Sequence, residues 1–124
     1  MDLICEETKH GLESIAETLA NRERLRYRNI EVSLRRRAEL GIPPSYTIDV
    51  LDSDFPAKDK AKWNAMLESH IVEELLGAIT GARVVVVICG VRHMPVLVQT
   101  LQLKFNSVEP HDVTTMPWFD QSLL

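Results

Sequence analysis

At 124 residues, with 45% hydrophobic and 26% charged residues, the chain has the size and composition of one soluble globular domain. Its formal net charge of −4 gives no general reason to expect nucleic acid or an anionic membrane surface as a partner. No apolar segment approaches the roughly 20 residues needed to span a bilayer, so no membrane partner and a cytoplasmic location are expected. Cys5 and Cys89 lack C-x-x-C spacing, which argues against a disulfide framework or zinc knuckle. Each falls in an apolar run and reads as a small buried hydrophobe in a reducing compartment.

In chain order, residues 2–5 read as a short apolar strand ending on Glu6 and Glu7, after which Leu12, Ile15, Ala16 and Leu19 recur at helical spacing. Residues 27–31 alternate like a second strand. Ser33 is a natural N-cap for a short helix that ends at Gly41, with Pro43 just beyond. Prolines, serines and aspartates over residues 42–56 mark a long connection in which residues 46–50 form a short extended piece. Trp63, Leu67, Ile71, Leu75 and Ile79 repeat every fourth residue and predict the longest helix, closed by Gly77 and Gly81. The β-branched run from Val84 to Ile88 predicts a strand buried on both faces, and Pro95 suits the first turn of a helix carrying Leu97 and Leu101. Residues 107–113 predict a last strand, placed at an edge by Pro110, and residues 114–124 an irregular tail. The order βα, βα, α, βα, β predicts one α/β domain over residues 1–124. Its mostly parallel sheet has about four strands, with helices on both faces in a Rossmann-like three-layer arrangement.

In such a sheet the carboxyl ends of the strands open onto one edge, where ligands bind. The segment Cys89, Gly90, Val91, Arg92, His93 falls in a strand-to-helix turn at that edge, and Glu6, Glu7, Asn29 and Glu31 belong to the same edge. A carboxylate pair with an imidazole suits a divalent metal such as manganese, zinc or iron, or metal-free acid–base work. Glu6, Glu7 and His93 are therefore the candidate catalytic and metal-binding residues, and Gly90, Arg92, Asn29 and Glu31 the candidate ligand-binding ones. The helix after His93 turns a positive dipole end toward an anionic group. Plainer readings stand beside these. His93 also suits an N-capping histidine, Glu6 and Glu7 suit the acidic start of a helix, and Arg92 an exposed turn arginine.

Arg22, Arg24, Arg26, Arg28, Arg35, Arg36 and Arg37 cluster around the second strand and its helix and read as a solvated basic face. Asp49, Asp52 and Asp54 lack the glycine and terminal glutamate of a calcium loop. His70 reads as a partly exposed helix residue, and His10 and His111 have no local constellation.

The segments LICEET, SIAETLA, YRNIEVS with ELGIPP after it, VVVVICGVRHMPVLVQTL and HDVTTMPWFD together resemble a family of small uncharacterised bacterial α/β proteins over nearly the whole chain. More remotely, an acidic strand end followed by a late Gly-x-x-His resembles the erythromycin esterase, ChaN, TraB and TIKI superfamily. In that superfamily two Gly-x-x-His motifs and glutamates form a site on an α/β sheet. The resemblance implies a hydrolase-like or metal-binding pocket, and by motif it carries over only Glu6 or Glu7 and His93. The first Gly-x-x-His has no counterpart, with Met1 just before the strand. The arginine that the close family carries near the start of the long helix is replaced by Lys58, Lys60, Lys62 and Trp63. Three accounts remain open: a shortened gene product, a member without activity, or a chain that completes its sheet and site with a second copy. Unpaired sheet edges favour self-association.

Two functions are thus expected. One is a ligand-binding or assembly domain, a homo-oligomer with a small-molecule ligand at a degenerate pocket on the carboxyl edge. The other is a metal-dependent or acid–base hydrolase using Glu6 or Glu7 with His93. No nucleophile elbow, P-loop or dinucleotide glycine fingerprint is present in the sequence.

Overall fold

The computed structural model describes residues 2–46 and 55–115, so residues 47–50 of the extended piece expected at 46–50 and residues 116–124 of the tail expected at 114–124 lie outside these. The chain forms two compact units, residues 1–89 and 90–124.

In the first unit, three strands form a parallel sheet in the order β2-β1-β3: β1 (Leu3–Glu6), β2 (Arg26–Asn29) and β3 (Val85–Ile88). Both ladders are in register from end to end, Leu3 beside Arg26 and Val85, Glu6 beside Asn29 and Ile88. Parallel neighbours require a crossover. Helix α1 (Ile15–Arg22) connects β1 to β2, and α2 (Leu34–Glu39) with α3 (Ala57–Ala78) connects β2 to β3. Ser14 and Ser33 cap α1 and α2, each hydroxyl accepting a backbone N–H three residues on, from Glu17 and Arg36. Gly41 and Gly81, at φ of 75° and 79°, turn the chain out of α2 and α3 in the left-handed region that glycine enters without steric cost. Gly77 instead lies within α3.

The centre of the sheet is β1, where Leu3, Ile4 and Cys5 are all buried. The valine strand lies at an edge, and Val84, Val86 and Ile88 are 53%, 39% and 44% exposed. This corrects the expectation of a strand buried on both faces. A run of β-branched residues reports a fit to any pleated surface, central or not. Likewise α1 does not bury the apolar positions expected of it: Ile15 is 91% exposed, and Ala20 is the buried residue.

Helix α3 behaves as its period predicts, with Leu67, Ile71, Leu75 and, at its C-cap, Ile79 buried. At its amino-terminal end Trp63 joins Tyr46 and Phe55 in a trio of edge-to-face rings, with centroids 5.0 to 5.6 Å apart. The Tyr46 hydroxyl donates to Asn64 Oδ1, and Arg37 Nη1 donates to the Tyr46 carbonyl at 2.6 Å. These bonds tie the long connection to α2 and α3.

The second unit begins with a 3-10 turn (Val91–His93) that runs into α4 (Met94–Gln102), with Pro95 in the first turn as expected. Leu97 and Thr100 are buried, and the Thr100 hydroxyl donates to the Val96 carbonyl at 2.8 Å. Residues 107–112 take no strand, and Val113–Thr115 form a 3-10 turn. The described sheet thus has three strands rather than four, and Pro110, with no N–H to donate, sits in irregular chain. No described helix is long and apolar enough to cross a membrane.

The start of β1 is fastened to the start of β3 by Asp2, whose carboxylate accepts the N–H groups of Arg83 (2.6 Å) and Val84 (3.1 Å). These two bonds hold its pKa below the ordinary 3.8. A lowered folded value means the stabilisation is present above the ordinary pKa and disappears as pH falls through the folded one. Asp2→Asn should therefore be less stable than the parent in urea melts at neutral pH, with the gap closing in acid. A gap unchanged into strong acid would assign the difference to something other than this carboxylate.

Candidate functional site

The in-register ladders bring the last residues of all three strands, Glu6, Asn29 and Ile88, to one edge. Tyr27 pairs with Ile4, and Glu6 lies two residues further along on the same face of β1, within diagonal reach of the phenol. The Tyr27 hydroxyl donates to Glu6 Oε1 at 2.7 Å, and Ser14 Oγ donates to the same oxygen at 2.5 Å. Ser14 Oγ in turn accepts the Glu17 N–H at 3.0 Å as the cap of α1. One carboxylate oxygen thus joins β1, β2 and the head of α1. Desolvation, with the bond to Glu6, pushes the Tyr27 phenol up to about 12.

Asn29 clasps the loops that follow β1 and β2. Its Oδ1 accepts the N–H of Glu31 at 3.0 Å and of Thr8 at 3.4 Å, and its Nδ2 donates to the Thr8 carbonyl at 2.9 Å. Glu31 Oε1 accepts the Val32 N–H at 2.8 Å, and His10 Nε2 lies 2.7 Å from the Glu31 carbonyl. A carbonyl only accepts, so Nε2 carries the proton and Nδ1 of the neutral ring is left as an acceptor.

Beside this clasp is a cleft of about 270 Å³ lined by His10, Arg28, Asn29, Glu31, Ser33, His70 and Glu74. Arg28 Nε and Nη2 both donate to Glu74 Oε2, at 3.0 and 2.5 Å, joining β2 to α3. His70 also lines a second cleft of about 310 Å³ that includes Arg36, Met66, Ser69 and Glu73. His10 and His70 were not legible as site residues. His10 reaches a carbonyl 21 residues away. The one available signal was its position in the turn after a parallel strand.

Of the residues expected at the site, Glu6, Asn29 and Glu31 are brought together at the carboxyl ends of β1 and β2. Glu7 follows Glu6, its N–H donating to the Ile88 carbonyl at 2.8 Å, and its charge, after desolvation, raises the pKa of the Cys89 thiol. Cys5, in the central strand, is pushed up to about 11 by burial. Both cysteines are free thiols. Gly90, Arg92 and His93 belong to the second unit, where the His93 N–H donates to the Gly90 carbonyl at 3.1 Å. His93 is 8% exposed and occupies the N-cap of α4 without a side-chain capping bond, so its ring is not spent on that role.

Chemically, Ser14 gives its proton to Glu6 and accepts the Glu17 N–H, so it fastens the carboxylate to the head of α1. Among the described residues no group of three or more His, Cys, Asp or Glu side chains is arranged to hold a metal ion. The basic cluster is partly paired: Arg22 with Glu23, Arg35 and Arg36 with Glu39, and Arg28 with Glu74. The chain matches no protein-family model, and no curated protein or solved structure matches it significantly.

The Glu6 fastening sets an alkaline signature. A raised folded pKa means that stabilisation is complete below the ordinary tyrosine value of 10 and is lost as pH rises through about 12. In an ultraviolet titration one of the two tyrosines should ionise only near that upper value, and Tyr27→Phe should abolish the late step. The same variant should lose roughly 1.5 kcal/mol at neutral pH, the low end of the range for a bond to a charged acceptor because the phenol is half-buried. A late step persisting in Tyr27→Phe would disprove the assignment.

Proposed function

We propose that this chain is a small ligand-binding or assembly domain of the α/β family its sequence blocks resemble. In this reading it works as a homo-oligomer and holds a small polar ligand in the cleft at the carboxyl end of β2. The observation that carries the reading is that cleft. Two of the expected ligand residues, Asn29 and Glu31, line it together with two imidazoles, Arg28 and Glu74. The loops bearing Asn29, Glu31 and His10 are fastened by three hydrogen bonds between them and one within the loop after β2, so the polar groups are held in place before a ligand arrives. With both cationic and anionic side chains present, an amphoteric molecule of amino-acid size suits the lining better than a polyanion.

A Rossmann-like three-layer arrangement is part of this proposal. Tyr27 and Arg28 are neighbours in β2 and their side chains leave opposite faces. Tyr27 reaches Glu6 and through it the cap of α1, and Arg28 reaches α3, which supports helices on both sides of the sheet.

A hydrolytic reading, with Glu6 or Glu7 as base and His93 as acid, is favoured by one observation, the burial of a histidine that does not cap its helix. This reading takes either a metal-dependent or an acid–base form. It ranks second because Glu6 already accepts two hydroxyl protons.

Amide chemical-shift mapping with a panel of free amino acids and dicarboxylates at millimolar concentration tests the first reading. At least one compound should move His10, Asn29, Glu31 and His70 together, and His70→Ala should weaken that response several-fold. A panel that moves none of the cleft residues would overturn it.

A further inference from the structure

We infer that two copies of this chain join through β3, antiparallel across a two-fold axis at Val86, to make one continuous six-stranded sheet. The inference rests on the homo-oligomeric part of the proposed function and names the surface that would carry it.

Two sheet edges are open among the described residues, those of β2 and β3. They differ in charge. Strand β2 places Arg26 and Arg28 along its edge, and a second copy would bring like charges together. From Val84 to Cys89 the other edge carries no charge at all. Its apolar side chains Val84, Val86 and Ile88 are exposed, with no edge charge to discourage pairing.

The backbone specifies how a copy fits. The carbonyls of Val84 and Ile88 accept from Asp2 and Glu7, so the even-numbered residues of β3 turn their polar groups toward β1. The N–H and C=O groups of Val85 and Val87 point the other way, to the open edge. In an antiparallel pair with Val86 on the axis, Val85 of one copy meets Val87 of the other, and the two exchange both hydrogen bonds. Val86 then faces Val86, and Val84 faces Ile88, an apolar pairing that a two-fold interface makes twice.

The ends of the strand agree with that register. Arg83 falls opposite Cys89 of the second copy, and Glu7 stands beside Cys89 closely enough for its charge to raise the thiol. Each copy thus brings a cation to the acidic end of the other. Pairing with an unrelated strand would satisfy the backbone but would not supply this reciprocal match, so a second copy is the occupant.

Sedimentation velocity across the micromolar range should show a dimer dissociating on dilution. Val86→Lys, at an exposed edge position, should give a monomer with unchanged circular dichroism. In a Cys89→Ser background, Val86→Cys should oxidise to a disulfide-linked dimer, because facing residues of a non-hydrogen-bonded pair lie about 4.5 Å apart at Cα. Val84→Cys in the same background, off the axis, should not link. A parent chain that stays monomeric throughout would overturn both the inference and the homo-oligomeric reading. A dimer that survives Val86→Lys and does not cross-link through Val86→Cys would overturn the β3 interface alone.

Discussion

The structure depends on a strand of four residues. Leu3, Ile4, Cys5 and Glu6 carry hydrogen-bonded ladders on both sides, and the first three are buried. Because both ladders are parallel and in register, the strand ends fall level. The loops after β1 and β2 therefore start from the same height. That alignment allows one Asn29 side chain to bond the backbone of both loops, and one Glu6 oxygen to accept from β2 and from the cap of α1. A slip of one residue would send Glu6 to the opposite face and undo the fastening to Tyr27 and Ser14.

The polar edge is thus built in two tiers. Nearest the sheet, Glu6, Tyr27, Ser14 and Asn29 spend their hydrogen-bonding capacity on holding strands and loops together. Outside them, His10, Glu31, His70 and the Arg28–Glu74 pair line an open cleft. In the inner tier the acidic and hydroxyl groups at the strand end serve one another as hydrogen-bond partners. The Ser14 hydroxyl gives its proton to the Glu6 carboxylate and accepts a helix N–H, which ties the cap of α1 to β1. The fastening instead preorganises its neighbours, lowering the entropy a ligand would cost on binding.

How legible all this was depended on the range of the interaction. The strand, the strand-to-helix turn and the helix at residues 85–102 were legible because β-branched residues, Gly90 and Pro95 act within a turn of themselves. The Ser33 cap, the Gly41 exit and the buried stripe Leu67, Ile71, Leu75 were legible for the same reason. Glu6, Asn29 and Glu31 could be assigned to the carboxyl edge from topology alone. Their partners could not be, since Tyr27 and His10 each reach across 21 residues. Burial was misread where pattern and position part company. The valine run looks central and lies at an edge, and Ile15 looks like core and faces solvent.

By itself, the order of residues determined that this is an α/β chain with short parallel strands, where α2, α3 and α4 begin, and which strand ends carry polar groups. Those features follow from spacing, capping and turn chemistry, which act between near neighbours. Tertiary structure alone decided that β1 rather than β3 sits at the centre, that Glu6 is a fastening, and that His10 and His70 share a cleft. Each is set by pairings between residues far apart in the chain. Their free energy depends on what lies on the other side of a strand or helix, and local periodicity carries no record of that.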